Sequence, residues 1–194
     1  MGNRRLGRKR LYTIEKAGAT VDPGAGEGAA PMIARTTQHR VGQELVTEIV
    51  LDLGTSKGTI TSGGAAGKAS GVTGKAAHLT QLTIAKYGII TEIRTVCTEA
   101  PSISSTGKGV NITLGSTTEN TGDAIAGAVD VNNASTPLDG VGEDRSLEID
   151  NASTYQGSGS EFYLYVSADD SDAGNYDAGK ITIYIYGFAV PDDL

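Results

Sequence analysis

Short runs in which apolar and polar residues alternate are the sequence feature that most limits the folds open to this chain. These runs are rich in β-branched and aromatic residues and are bounded by Gly, Ser, Asp and Asn. They cover residues 44–53, 79–84, 88–99, 110–114, 162–167 and 181–188. A period of two predicts strands with one buried face, and no segment keeps the 3.6-residue period of an amphipathic helix. The pattern therefore predicts an all-β domain, a β-sandwich with a jelly-roll-like body.

Two of these runs predict which side chains face a core, because residues two apart lie on the same face of a strand. In the first, one face holds Leu45, Thr47, Ile49, Leu51 and Leu53. In the run 88–99, the better core face holds Ile89, Thr91, Ile93, Thr95 and Cys97.

The last two runs predict an antiparallel pair with two unlike faces. One face is aliphatic and suits a core. The other face is aromatic, with Tyr163, Tyr165, Tyr184 and Tyr186. Aromatic side chains that keep their hydroxyl groups available suit a half-wet surface, so these four tyrosines are predicted as a subunit interface.

Charge is segregated along the chain. Five of the 16 Lys and Arg residues lie within the first ten positions, and all 23 Asp and Glu residues follow them. The five are Arg4, Arg5, Arg8, Lys9 and Arg10. A block of like charge stays extended until it meets an anionic surface. The predicted partner of this basic arm is therefore an acidic neighbouring subunit or packaged nucleic acid. The acidic remainder has the wrong sign for a nucleic-acid-binding body.

Composition predicts two parts in the chain. The Gly- and Pro-rich segment 22–31 is typical of a flexible linker. This places an arm and linker at residues 1–31 and a β-sandwich domain at residues 32–194. Two insertions, 55–78 and 115–142, interrupt the strands. Loops of this length in a compact domain are usually functional or are ordered by a partner.

Motifs for catalysis or cofactor binding are missing. The segment 62–70 places Ser62 and Ala69 where a phosphate-binding loop needs Gly and Ser or Thr. Cys97 lies on an apolar strand face, which favours a buried small hydrophobe over a nucleophile. His39 and His78 have no metal-ligand spacing and are predicted to be structural. No nucleophile elbow and no membrane-spanning apolar run occur. The sequence predicts a non-enzymatic protein without a cofactor and without membrane contact.

One acidic loop leaves two interpretations open. Asp169, Asp170, Asp172 and Asp177 lie close together in the sequence, and carboxylate oxygens are ligands for Ca²⁺ or Mg²⁺. The spacing differs from the calcium loop of a helix-loop-helix site, because Gly174 stands where a ligand is needed. Asp and Gly are also favoured in a plain solvated turn.

Four segments resemble structural proteins of tailed bacteriophages, marine ones especially. They are residues 1–12 (MGNRRLGRKRLY), 47–54 (TEIVLDLG), 86–93 (KYGIITEI) and 178–194 (AGKITIYIYGFAVPDDL). The resemblance spans both ends and the middle of the chain but not the two insertions. It implies a virion component without enzymatic activity, a β-sandwich protein on the capsid of the trimeric decoration or cement kind. Its partners would be the major capsid protein and other copies of itself, in the host cytoplasm during assembly and then in the virion.

Two other functions are compatible with the same residues. A neck, tail or fibre-base component would occur in about a dozen copies per particle, whereas decoration needs on the order of hundreds. A carbohydrate- or ion-binding β-sandwich module would use the four tyrosines on an exposed face.

Overall fold

The computed structural model describes residues 19–54, 68–103, 106–131, 137–149, 152–156, 162–168 and 175–189. The five arm cations lie outside these residues, as do Asp169, Asp170 and Asp172. The described strands are β1 (Ala19–Thr20), β2 (Ile33–Val41), β3 (Glu44–Asp52), β4 (Thr80–Gln81), β5 (Ile89–Ile103), β6 (Thr106–Gly107), β7 (Val110–Gly115), β8 (Val129–Asp130), β9 (Asp144–Glu148), β10 (Tyr163–Ala168) and β11 (Ala178–Phe188). The helical elements are a 3₁₀ turn (Ala30–Met32), α1 (Ile84–Tyr87) and α2 (Ala152–Gln156).

The described strands form two antiparallel sheets. The large sheet has seven strands in the order β1-β2-β3-β11-β5-β6, with β9 also paired to β5. Strand β5 is 15 residues long, so β9 and β6 pair with different parts of the same edge. The small sheet has four strands in the order β4-β10-β7-β8. The predicted all-β, sandwich-like fold is confirmed.

The main core lies between the two sheets. The large sheet contributes Ile49, Leu51, Ile93, Cys97, Ile181, Ile183 and Ile185, and the small sheet contributes Val110, Ile112, Leu114, Leu164 and Val166. These side chains are at most about 1% exposed, so the stabilising burial of apolar surface is concentrated here.

The predicted faces of β3 and β5 are confirmed except at the start of β5. Thr47, Ile49 and Leu51 are buried in β3, as the alternation predicts. In β5, however, Ile90 is buried and Ile89 is 45% exposed. Strand β11 pairs Tyr186 with Glu92 but Gly187 with Ile90, so the pairing shifts by one residue at Thr91. An extra residue of this kind is a β-bulge, and it moves every preceding side chain to the other face.

The predicted pairing of the last two strands is wrong. Strand β10 belongs to the small sheet between β4 and β7, and β11 belongs to the large sheet between β3 and β5. The aliphatic side chains Leu164 and Val166 face Ile183 and its neighbours across the core rather than along one sheet. Both arrangements bury the same aliphatic residues, so alternation alone does not separate them.

The two insertions pack against each other over the small sheet. Ala69 N donates to Asp123 O, Thr121 N to Lys75 O, and Ala77 N to Glu119 O, at 2.9–3.0 Å. Ala69, Ala77 and Ile125 form a second buried cluster with Tyr163 and Tyr165. The small sheet is therefore covered on both faces by parts of the same chain.

The Gly- and Pro-rich segment 22–31 differs from the flexible linker that its composition predicts. Gly26 N donates to His78 O at 2.9 Å, and Gly28 N donates to Ala76 O at 2.8 Å. A Cβ at Gly26 would lie 2.2 Å from Ala76 O, so this close backbone approach requires glycine. Ala29 in this segment and Met32 just after it are fully buried. The glycines of this segment allow close backbone packing and do not make it a flexible linker.

Candidate interaction surface

The outward face of the large sheet presents the side chains that the core does not use. Each row across this face holds residues paired in register on neighbouring strands. One row runs Thr37, Glu48, Tyr184, Arg94 and Ser146 across β2, β3, β11, β5 and β9. The next row runs His39, Val46, Tyr186, Glu92 and Glu148. No described segment pairs over this face as the insertions do over the small sheet.

Ion pairs and stacked rings organise the middle of this face. The Arg94 guanidinium pairs with both carboxylate oxygens of Asp144, with Nε 2.7 Å from Oδ1. This hydrogen bond lowers the pKa of Asp144 and raises the pKa of Arg94. Tyr184 and Tyr186 stack with ring centroids 6.3 Å apart. Partial burial, and then the charge of Glu48, raise the pKa of Tyr184, so its hydroxyl stays neutral.

Of the four tyrosines predicted on one exposed face, two are buried. Tyr184 and Tyr186 are half-buried on the outward face of the large sheet. Tyr163 and Tyr165 are 9% and 0% exposed, so their predicted place in a subunit interface is wrong. The Tyr165 hydroxyl donates to Thr117 O at 2.6 Å and accepts from Glu119 N at 2.9 Å. Both partners lie in the second insertion, which covers the ring.

Gly115 gives the Tyr165 ring its space. A Cβ on Gly115 would lie 2.5 Å from Cγ2 of Ile125 and 3.0 Å from Cε2 of Tyr165. Burial raises the pKa of Tyr165 to about 12. His78 packs edge-on against Tyr163 with centroids 5.3 Å apart, and desolvation lowers the pKa of that histidine. Both contacts belong to a covered interior.

Exposed apolar side chains gather at one end of the outward face. Val41, Ile89 and Phe188 are 56%, 45% and 44% exposed. Glu44 pairs with both Val41 and Phe188, and Phe188 pairs with Ile89, so the three lie in one row beside the β2–β3 turn. We call these three residues the apolar end. A groove of about 270 Å³ adjoins it, lined by Val46, Tyr186 and Phe188 together with Glu44 and Glu92.

Three carboxylates surround the apolar end. They are Glu44, Glu92 and Glu148, and no described residue forms an ion pair with any of them. Glu92 lies directly opposite Glu148 in the β5–β9 pairing. Like charges opposite each other in a sheet are destabilising. Neither the row from His39 to Glu148 nor the row from Val41 to Ile89 holds a Lys or Arg at its described outward positions, so this end of the face is acidic as well as apolar.

The N-terminal end of strand β1 points toward this same end of the sheet. Ala19 pairs with Gln38 and Thr20 with Thr37, so the chain traced backward from Thr20 to Ala19 runs along β2 toward Val41. Residues 1–18 therefore join the described structure at the edge of the large sheet. The arm cations are part of those residues and have no described position.

The other residues considered as sites lie in structural positions. Cys97 is buried in the main core as predicted, and burial raises its pKa to about 11. Asp177 accepts a hydrogen bond from Ser102 Oγ, while its three companions in the acidic loop lie outside the described residues. Across the described ranges, no group of three or more His, Cys, Asp or Glu residues is arranged to hold a metal ion.

No family model, curated protein or solved structure matches this chain. Among the residues that the structure describes, no helix is both long enough and apolar enough to cross a bilayer.

Sequence reasoning missed the apolar end. Unbroken alternation places Ile89 in the core, because it does not reveal the bulge at Thr91. Phe188 and Val41 lie at strand ends, where few flanking residues remain to define the alternation. The Gly42-Gln43 turn between two strands with strong alternation was the one signal that pointed to this end of the sheet.

Proposed function

We propose that this protein is a structural component of a tailed-bacteriophage virion that binds and stabilises the capsid shell. Its basic arm, through Arg4, Arg5, Arg8, Lys9 and Arg10, pairs with carboxylates of the major capsid protein or of a neighbouring copy. The observation that carries the proposal is the segregation of charge: five cations and no acid occupy the first ten positions of an otherwise acidic chain. The resemblance of four segments to phage structural proteins supports the same function.

The fold is suited to a binding protein of this kind. Its described part is a two-sheet sandwich with an apolar core, and its first described strand, β1, lies at an edge of the large sheet. Each exposed ion pair contributes up to about 1 kcal/mol. Many copies on a lattice turn such weak contacts into firm attachment, because each bound element raises the local concentration of the next. A shell that withstands internal pressure from packaged DNA gains from many weak clamps.

The arm is tested on particles that lack this protein. One variant replaces the five arm cations by Gln in the full chain, and another deletes residues 1–16. A matched control shuffles residues 1–10 and so keeps their charge. We expect the Gln variant to bind at least about tenfold more weakly, since several ion pairs are lost together. The shuffled arm should retain most of the binding, and thermal unfolding should show that all bodies stay folded. Equal occupancy of all variants on the particle would contradict the anchoring role.

Copy number separates the capsid from the alternative position in the particle. A decoration protein occurs in on the order of hundreds of copies, and a neck, tail or fibre-base ring in about a dozen. Quantitative mass spectrometry of purified virions gives the ratio of this chain to the major capsid protein. A carbohydrate-binding function is not proposed, because two of the four tyrosines that favoured it are buried.

A further inference from the structure

The apolar end is an exposed patch that no described residue covers. Phe188 and Ile89 are exposed neighbours on β11 and β5, and Val41 lies in the same row on the other side of Glu44, next to a groove of about 270 Å³. Contiguous exposed apolar residues rimmed by polar groups mark interaction sites in soluble proteins. The rim here consists of Glu44, Glu92 and Glu148, so the occupant must be apolar and cationic.

We propose that the apolar end is the docking surface for the basic arm of the same chain. The arm interleaves its cations with Leu6, Leu11 and Tyr12, which gives it the required mixture of charge and apolar surface. The C-terminal segment 190–194 also begins near this end, because Ala189 N donates to Gln43 O in the β2–β3 turn. That segment carries Asp192 and Asp193, so the acidic rim repels it.

The geometry lets the arm reach the surface. Adjacent strands lie about 4.8 Å apart, and β5 is four strands from β1, so Glu92 lies roughly 20 Å from Ala19. Ala19 lies nine positions after Arg10, and nine extended Cα–Cα steps span about 30 Å. Glu44 on β3 is nearer still. Strand β1 also directs the preceding residues toward Val41 rather than away from it.

Tethering favours the chain's own arm over that of a second copy. A segment attached by a short connection acts at an effective concentration in the millimolar range. A free protein at micromolar concentration offers far less of a neighbour's arm. The docked cations would also relieve the repulsion between Glu92 and Glu148, which face each other across β5 and β9.

Docking gives the arm two alternative partners, a step that rests on the proposed function. In the free protein the arm occupies the apolar end. On the particle the carboxylates of the shell compete for the same cations. Binding to the shell then frees the apolar end, and the population of the docked state lowers the apparent affinity of the arm for the shell.

Zero-length cross-linking tests the docking in the full chain. A carbodiimide joins the Lys9 amine to a carboxylate in direct contact, and peptide mass spectrometry locates the bond. We expect links from Lys9 to Glu44, Glu92 or Glu148. An equal mixture of ¹⁴N- and ¹⁵N-labelled protein identifies the source, and links within one isotope alone support the proposal. Links between isotopes, or links from Lys9 to none of the three glutamates, would overturn it.

A matched pair of variants tests the rim. Glu44→Gln with Glu92→Gln neutralises two carboxylates at the apolar end. Glu27→Gln with Glu99→Gln neutralises two exposed carboxylates elsewhere, one of them on the same strand as Glu92. The first pair should lower the yield of Lys9 links to Glu148 by about fivefold, and the second pair should leave it unchanged. Raising the salt from about 0.05 M to about 0.5 M should reduce the links in the native chain. Equal yields in both pairs would contradict the proposal.

Particle binding separates this inference from the proposed function. If the arm docks and also competes for the shell, Glu44→Gln with Glu92→Gln should bind particles a few-fold more tightly than the native chain. If Lys9 links to the apolar end but the arm-neutralised variant binds particles normally, docking stands and the proposed function fails. If the arm is needed on particles but gives no link to the three glutamates, the docking fails alone.

Discussion

The outward faces of the two sheets carry similar residues and have opposite environments. In the small sheet, Tyr163, Tyr165 and Ser167 of β10 and Asn111 and Thr113 of β7 point away from the main core, yet all five are buried. In the large sheet, Tyr184 and Tyr186 of β11 occupy equivalent alternate positions and remain half-exposed. The difference comes from the described parts of the two insertions, which cover the small sheet. No described residue covers the outward face of the large sheet in this way, and we call that face the bare face.

Similar residues therefore have different roles in the two sheets. Whether other parts of the chain cover a face decides its role more than the residue types on that face do. The Tyr165 hydroxyl binds backbone groups of the covering loop, so the ring fixes that loop to the sheet. The Tyr184 and Tyr186 rings stack on each other beside ion pairs and an exposed apolar end. Function is therefore expected at the bare face.

The largest predicted loss of stability distinguishes the buried tyrosines of β10 from the half-exposed tyrosines of β11. Tyr165→Ala should lower the free energy of unfolding by about 3–5 kcal/mol, because it leaves a cavity under the covering loops. Tyr184→Ala should cost about 1 kcal/mol or less, as expected for a surface position. Urea unfolding of both variants measures the difference. Equal losses would mean that the small sheet is not covered as described.

A comparison within β5 sharpens the position of the bulge. Ile90→Ala should cost about 2–5 kcal/mol, because Ile90 is buried in the main core. Ile89→Ala should change the unfolding free energy by only about 0.5 kcal/mol, because Ile89 faces solvent. The same urea titration gives both values. The reverse order would restore unbroken alternation and remove Ile89 from the apolar end.

A smaller loss is expected when only a hydroxyl group is removed. Tyr165→Phe leaves the Glu119 amide and the Thr117 carbonyl without their partner and should cost about 1–3 kcal/mol. Tyr186→Phe is the matched change on the bare face. It removes a hydroxyl that contacts the exposed Arg94 guanidinium, which keeps its pairing with Asp144, so the loss should be below about 1 kcal/mol. Hydrogen exchange at the Glu119 amide should rise in the first variant and not in the second.

The smallest effect depends on pH and concerns the bare face. Arg94 lowers the pKa of Asp144 in the folded state, so the charged carboxylate favours folding above the unfolded pKa of about 3.9. That contribution is lost as the pH falls through the lower, folded pKa. The native chain should therefore be slightly more stable than Asp144→Asn at pH 7, by less than the stability lost in Tyr165→Phe. The two should converge at pH 2, and a constant difference across this range would contradict the ion-pair explanation.

The sequence predicts the fold class and most strand faces, because a strand with one buried face has apolar residues at every second position. Leu51 of β3 and Cys97 of β5 lie where the period of two places them. The prediction of the buried face fails at Thr91, because the one extra residue of a β-bulge cannot be recognised from the composition of the strand. The predicted pairing of β10 with β11 also fails, because pairing within a sheet and packing across a core bury the same aliphatic residues.

The candidate surface was only partly predictable for a related reason. The alternation places Tyr184 and Tyr186 on the non-aliphatic face of their strand, and a tyrosine ring with a polar hydroxyl group suits a surface there. Tyr163 and Tyr165 have the same pattern, and their burial depends on insertions whose contacts are long-range in sequence. The Gly- and Pro-rich segment 22–31 shows a different limit of sequence reasoning. Its composition predicts a flexible linker, but Gly26 serves to let its backbone pack closely against Ala76.

Hydroxyl-radical footprinting compares the covered face of the small sheet with the outward face of the large sheet in one experiment on the intact chain. Oxidation of Phe188 is compared between the native protein and the variant with Gln at the five arm positions, with Tyr163 and Tyr165 as internal references. Phe188 should become several-fold more reactive when the arm cations are removed, while the two buried tyrosines stay protected in both proteins. Unchanged reactivity of Phe188, or tyrosines as reactive as Tyr184, would contradict this prediction.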